Sequence, residues 1–184
     1  ADGYSSRGYY EKARDILEDG LRQYPETYAL MHDLMYVSDS QYDQAKQSEA
    51  EEQRALAQKY RNEVLRLGEA ILDGCTDDHL RHDATQLLCY AYKDAGNTEK
   101  ALDHLQNAAK HAIRFLEQCE NKEEHTSLLF FGFEDGAFST GNTDNTAAEV
   151  LCAMEEPVFD GIRNADAFTA VKDELALHAA KWKV

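Results

Sequence analysis

Apolar residues recur along this chain at the intervals of an α-helix. In residues 9–24 they are three or four positions apart, as on one buried helix face. Similar stretches follow, each separated from the next by a short polar or breaker-containing segment. They predict helices over residues 9–24, 27–38, 42–74, 78–95, 98–119, 143–155 and 165–181. Only two prolines occur in 184 residues, which favours helices over a strand-rich fold.

Breaker and capping residues predict where these helices end. The Ser-Asp-Ser sequence at 38–40 indicates a break between the second and third helices. Gly74 has the position of a left-handed C-cap, and residues 76–78 and Thr98 are expected to cap the helices that follow them. The stretch 44–53 is almost wholly polar, so we expect it to project into solvent or to fray.

The segment 120–142 has a different composition from the predicted helices. Residues 126–133 are dense in apolar and aromatic side chains, and three glycines lie between 132 and 141. We interpret the segment as an ordered loop that closes the end of the helical stack. Its apolar stretch either completes the core or forms a seam between two copies of the chain.

Two parts of the chain repeat one spacing of small residues and leucine. Offsets of five, four and three residues join Gly8, Ala13, Leu17 and Gly20, and again Gly96, Ala101, Leu105 and Ala108. Small residues allow two paired helices to approach closely, and the leucine fills the gap between them. The spacing therefore predicts helix pairs that recur along the chain.

This spacing resembles the tetratricopeptide repeat. Residues 82–115 match one unit, residues 8–25 match the second half of a unit, and residues 28–74 match loosely. The resemblance implies an all-α fold, a right-handed superhelix of antiparallel helix pairs with a C-terminal helical cap. It also implies a single domain, with repeats over residues 1–119 and a loop and helices over residues 120–184 packing on the same solenoid.

A narrower resemblance covers most of the chain. Residues 10–13, 75–92, 125–129 and 157–163 are similar to segments that recur in the C-terminal regions of bacterial XRE-class helix-turn-helix regulators. In that family a DNA-binding bundle precedes a tetratricopeptide-like region that serves dimerisation and, in some members, ligand or peptide sensing. This chain has no basic helix-turn-helix segment. The resemblance thus implies a fragment from which the DNA-binding domain is missing.

Charge and cysteine usage limit the partners and the location. With 19 Lys and Arg against 35 Asp and Glu, the formal net charge is −16. Phosphate backbones and anionic lipids need a cationic face, so we expect this chain to contact neither nucleic acid nor a membrane. Its four cysteines form no C-x-x-C pair, and no signal peptide or long apolar run occurs. We expect reduced thiols and a cytoplasmic location.

Few clusters of residues carry the signature of a chemical site. His79 and His82 share a helix face, as two metal ligands would, but the sequence places no third ligand beside them. Asp77 and Asp78 suit a helix cap better than a catalytic pair. No phosphate loop or nucleophile elbow occurs. We therefore expect no metal, no cofactor and no catalytic residue, and an enzyme is the remote alternative.

The strongest functional hypothesis is a binding groove. If residues 82–115 form one repeat, its first helix presents a set of polar and aromatic side chains to the concave side, with counterparts one repeat earlier. These residues are Asp83, Gln86, Tyr90 and Lys93, together with His32 and Tyr36. Tyrosines next to amides and a cation suit a peptide, because the rings supply area and the polar groups supply orientation. Alternatively, these side chains pack against C-terminal helices that fold over the same face.

The sequence thus predicts a module for protein or peptide binding and for assembly. Its partner is a peptide, another protein or a second copy of the chain as a homodimer. The family resemblance makes it the sensor or dimerisation region of a transcriptional regulator. The alternative is a stand-alone tetratricopeptide adaptor that joins other proteins.

Overall fold

The computed structural model describes residues 2–5, 7–121 and 145–181, and these ranges are helical almost throughout. They contain eight α-helices, one 3₁₀ turn and no β-strand. The helices are α1 (Asp2–Ser5), α2 (Tyr10–Gln23), α3 (Tyr28–Lys46), α4 (Glu51–Gly74), α5 (Asp78–Asp94), α6 (Thr98–Asn121), α7 (Thr146–Met154) and α8 (Asp166–Lys181), with the 3₁₀ turn at Pro157–Phe159. The predicted all-α class is confirmed for this part of the chain.

The boundary between α3 and α4 differs from the prediction. The break predicted at residues 38–40 is wrong, because α3 continues through it and the turn to α4 lies at residues 47–50. Ser38 fits within a helix because its hydroxyl donates to the Leu34 carbonyl, 2.8 Å away. Its side chain is fully buried. A residue that resembles a turn signal in the sequence is therefore part of the packed interior.

Side chains cap three helices of the C-terminal half, and Asn145 caps α7 by accepting from the Ala148 N–H at 3.0 Å. The Asp77 carboxylate accepts hydrogen bonds from two backbone N–H groups at the start of α5, at 3.0 and 3.1 Å, which confirms the predicted cap. At the start of α6, Asn97 accepts from the Lys100 N–H at 3.2 Å. Thr98 is the first residue of that helix, so the prediction that it is the cap was wrong by one position.

Two glycines have identifiable roles. Gly96 has a φ of +76° in the turn between α5 and α6, a conformation that glycine adopts at little cost. Gly74 does not have a positive φ, so the prediction of a left-handed cap there is wrong. A Cβ at this position would collide with the Tyr28 hydroxyl. Gly74 therefore permits the end of α4 to pack closely against the start of α3.

The chain separates into two compact units, residues 1–75 and residues 76–184. The boundary between them lies at the turn that joins α4 to α5. The boundary predicted after residue 119 falls inside the second unit. That the repeats and the C-terminal segment form one solenoid stays a prediction.

In the first unit, α2, α3 and α4 pack as antiparallel neighbours. Arg14, early in α2, bonds to Gln41, late in α3. At the other end of the pair, a Cβ added to Gly20 would lie 3.0 Å from Leu30. The fully or nearly fully buried side chains of this unit include Ala13, Leu17, Leu34, Met35, Val64, Leu67 and Ile71.

The second unit is built on two antiparallel pairs. His82, early in α5, contacts the Ala108 carbonyl in the middle of α6, and Asn145 before α7 donates to the Ala179 carbonyl late in α8. The core that these pairs enclose includes Ala101, Leu105, Ala109, Leu116, Val150, Phe159, Phe168 and Leu175. The small residues predicted for the second helix of the repeat, Ala101 and Ala108, are both buried.

The remaining predictions concern the C-terminal segment, the cysteines and membrane-spanning helices. The helix predicted at 143–155 corresponds to α7, whereas the loop predicted at 120–142 falls almost wholly outside the described residues. Cys75 and Cys89 are buried and Cys152 is exposed. Across the described residues, no helix combines the length and the apolar character that a bilayer span requires.

Candidate functional site

Two of the predicted binding residues lie one turn apart on α3. The rings of His32 and Tyr36 meet edge to face, with centroids 4.9 Å apart. His32 Nδ1 lies 3.4 Å from a carboxylate oxygen of Asp33. The tyrosine is 41% exposed, so its ring combines a fixed orientation with an accessible surface. This pair is suited to contacting another molecule.

The other four predicted residues lie along one side of α5. Asp83, Gln86, Tyr90 and Lys93 are spaced by three, four and three residues, and all are half-buried. An Asp83 carboxylate oxygen lies 3.4 Å from His79 Nδ1, within ion-pair distance. This spacing puts the four side chains on a common face of the helix, and that this face is the concave side of a repeat stays a prediction.

The Tyr90 end of this face is partly covered by the C-terminal segment. The Tyr90 ring packs at 5.5 Å against Phe159 in the 3₁₀ turn, and Lys93 Nζ lies 3.9 Å from the position of a Cβ on Gly161. Burial, with the nearby Glu156 carboxylate, raises the pKa of Tyr90. Packing against C-terminal elements was the alternative explanation for these residues, and it explains much of the burial of the Tyr90 side chain.

The six predicted residues are divided between the two units. His32 and Tyr36 belong to the first unit, and the four residues on α5 belong to the second. Each group forms a local face of its own. That the two faces line one groove stays a prediction.

A buried polar cluster in the first unit was not predicted from the sequence. The guanidinium of Arg14, on a residue only 7% exposed, donates to Glu63 at 2.5 Å, to Ser38 at 3.0 Å and twice to Gln41 at 2.7 and 2.9 Å. It also lies over the Tyr60 ring, 5.2 Å from the centroid. One side chain on α2 thereby links α3 and α4.

Carboxylates compensate the buried charge of Arg14. Burial opposes ionisation of Arg14, but hydrogen bonds and charge from Glu63 and then Glu18 outweigh it, so the pKa of Arg14 is raised. Gln41 in turn donates to Glu11 at 2.5 Å.

The sequence did contain one signal of this cluster. Residues 34, 38, 41 and 45 have the spacing of a single inward helix face, although two of them are polar.

A cavity of about 410 Å³, open to solvent, adjoins the Arg14 cluster. Apolar side chains from α2, α3 and α4 form much of it, and charged side chains complete the wall. The lining residues are Leu21, Pro25, Met31, Leu34 and Leu67, with Glu18, Arg22, Glu63 and Arg66. The cavity has the volume of many small-molecule sites. No sequence pattern pointed to it, because its walls come from three helices.

The two histidines considered as a metal pair both lie near the Asp83 carboxylate, at 3.4 Å for His79 and 3.9 Å for His82. The His79 imidazole pairs with the Asp83 carboxylate, and this hydrogen bond raises the pKa of His79 to about 9. His82 is 3% exposed, and its Nδ1 lies 3.2 Å from the Ala108 carbonyl. Burial lowers the pKa of His82. Within the described residues, no group of three histidine, cysteine or acidic side chains is placed to hold a metal ion.

Comparison with known proteins provides no relative from which a role could be transferred. No family model, no curated protein and no solved structure matches this chain. The candidate roles therefore rest on the two faces of α3 and α5 and on the cavity of the first unit.

Proposed function

We propose that this chain is a protein- or peptide-binding and assembly module of tetratricopeptide-like helix pairs. It serves as the sensor or dimerisation region of a bacterial XRE-class transcriptional regulator. The main support is the close pairing of α5 and α6. Gly96 turns the chain between them, and Ala84, Ala101 and Ala108 are buried where they meet. This is the role that small residues have in the repeat.

The binding surface consists of the two faces on the first helices of the proposed repeats. On α3 the exposed Tyr36 ring is oriented by His32. On α5 the half-buried Asp83, Gln86 and Lys93 offer an acceptor, an amide and a cation along one side. A peptide can use either face, with an apolar side chain on the Tyr36 ring or with polar groups along α5.

Panning a random peptide library against the chain tests this proposal. Titration of the enriched peptides should show binding that weakens about ten-fold or more with Tyr36→Ala or with the Gln86→Ala/Lys93→Ala double variant. The matched control is Tyr24→Ala, since Tyr24 is 65% exposed but lies off both faces, at the end of α2. Peptides that bind all three variants equally would show that another surface is used.

The regulator assignment has its own test. A helix-turn-helix segment encoded in the same gene upstream of this chain supports it. A different neighbouring domain there would favour the stand-alone adaptor instead. In either case, sedimentation of the isolated chain distinguishes the partner, because a second copy doubles the solution mass and a foreign peptide does not.

A further inference from the structure

We propose that the cavity of the first unit is a binding site for a small amphipathic carboxylate, a molecule with an apolar body and one anionic head group. The site is separate from the faces of α3 and α5 described above, and the proposal does not depend on them. Its occupant is inferred from the wall of the cavity, which combines apolar side chains with exposed guanidinium groups.

The apolar part of the wall suits the body of such a ligand. Leu21 and Met31 are only half-buried, and Pro25 is exposed. Covering them removes apolar surface from water, which is the main driving force for binding a hydrocarbon chain. The volume of about 410 Å³ lies within the range of small-molecule sites and is small for a folded partner.

The two acidic side chains in the wall are both engaged by Arg14. Glu63 Oε2 accepts from Arg14 at 2.5 Å and lies 2.8 Å from the Ser38 hydroxyl, and its side chain is only 20% exposed. Glu18 is paired with the same guanidinium at 3.3 Å. A cationic ligand would have to compete with Arg14 for both carboxylates. The cavity therefore disfavours an ammonium head group.

The basic side chains in the wall remain accessible. The side chains of Arg22 and Arg66 are 70% and 65% exposed. Arg22 has one surface partner, Asp19 at 3.0 Å, and Arg66 lies 3.9 Å from Glu63. Exposed ion pairs of this kind contribute little to stability. The carboxylate of a ligand can therefore replace the acidic partner of either arginine or share the arginine with it. A guanidinium also matches a carboxylate in geometry, with two parallel hydrogen bonds.

Methionine methyl resonances provide a local test with an internal control. The full chain contains three methionines. Met31 lines the cavity, whereas Met154 is fully buried in the second unit. Titration with decanoate should shift the ¹³C-methyl signal of Met31 saturably, with an apparent Kd below about 1 mM, and leave that of Met154 unchanged. An unmoved Met31 signal, or equal shifts of both signals, would overturn the proposal.

The charge of the head group is tested separately. Decyltrimethylammonium, which has a similar tail and the opposite charge, should bind at least about ten-fold more weakly than decanoate. The Arg22→Gln/Arg66→Gln variant should lose about ten-fold in decanoate affinity. Arg114→Gln, which removes a similarly exposed arginine from the second unit, should not change it. Equal binding of the two detergents, or an unaffected double variant, would contradict the anionic assignment.

Discussion

Arg14 is the residue whose environment constrains the first unit most. Its guanidinium bonds to side chains on α3 and α4, so three helices meet at one buried charge. Such a cluster is favourable only while every member is satisfied, because a buried ion without its partner has a large desolvation cost. Arginine suits this position because its planar group donates in several directions at once.

Removal of that guanidinium should destabilise the protein strongly. Arg14→Ala leaves Glu63 and Gln41 without their donor in a buried site, and we expect a loss of about 3–5 kcal/mol in the free energy of unfolding. Urea denaturation measures it. Arg22→Ala, which removes an exposed arginine from the same helix, should change stability by less than about 0.5 kcal/mol. Similar losses for the two variants would mean that the cluster contributes no more than a surface pair.

His82 should make the stability of the protein depend on pH. Because burial depresses its pKa in the folded state, the unfolded chain binds a proton below about pH 6.5 that the folded chain does not. Asp83 opposes this effect, whereas His79 and His111 reinforce it. The stability contributed by neutral His82 is therefore complete above pH 6.5 and declines as the pH falls.

The measurement compares wild type with His82→Gln. Between about pH 7.5 and about pH 5.5, the free energy of unfolding of wild type should fall more steeply than that of the variant. His79 acts with the opposite sign. Its pKa is raised to about 9, so its contribution is complete below about 6.5 and is lost as the pH rises through 9. Parallel pH profiles for wild type and His82→Gln would contradict the assignment.

At the scale of the helices, regular apolar spacing predicted the helix ends reliably, whereas polar residues did not. The predicted helices that correspond to α2, α5 and α6 lie within two residues of the observed ends, because their buried faces are mostly apolar. The end of α3 was missed because its inward face continues as Ser38 and Gln41. Their burial depends on Arg14, which lies 24 and 27 positions away, and no local pattern reveals that partnership.

Proline substitution distinguishes the observed turn from the predicted break. Ser40→Pro lies inside α3, so it should cost about 3 kcal/mol or more by removing a helical hydrogen bond and introducing a clash. Ala50→Pro lies in the turn, where the φ of −65° already matches proline, so its cost should stay below about 1 kcal/mol and come from the lost N–H bond to Ser48, 3.3 Å long. Circular dichroism during thermal unfolding reports both. A tolerated Ser40→Pro would restore the break at residues 38–40.

At the scale of the whole molecule, the sequence predicted the all-α class but not the cavity. Periodicity within one helix places side chains on a common face, as it did for Asp83, Gln86, Tyr90 and Lys93. It cannot show which outside elements cover that face, such as Phe159 over Tyr90. A cavity walled by three helices depends on packing between them, and a single-sequence pattern carries no such information.

The central claim is that the faces of α3 and α5 bind a protein or peptide. Hydrogen exchange of the full chain, with and without a peptide enriched by panning, tests it most directly. We predict that the peptide slows exchange in α3, in α5 or in both, and leaves α8 unchanged, because bound segments open less often. Protection confined to α7 and α8, with α3 and α5 unaffected, would contradict the claim.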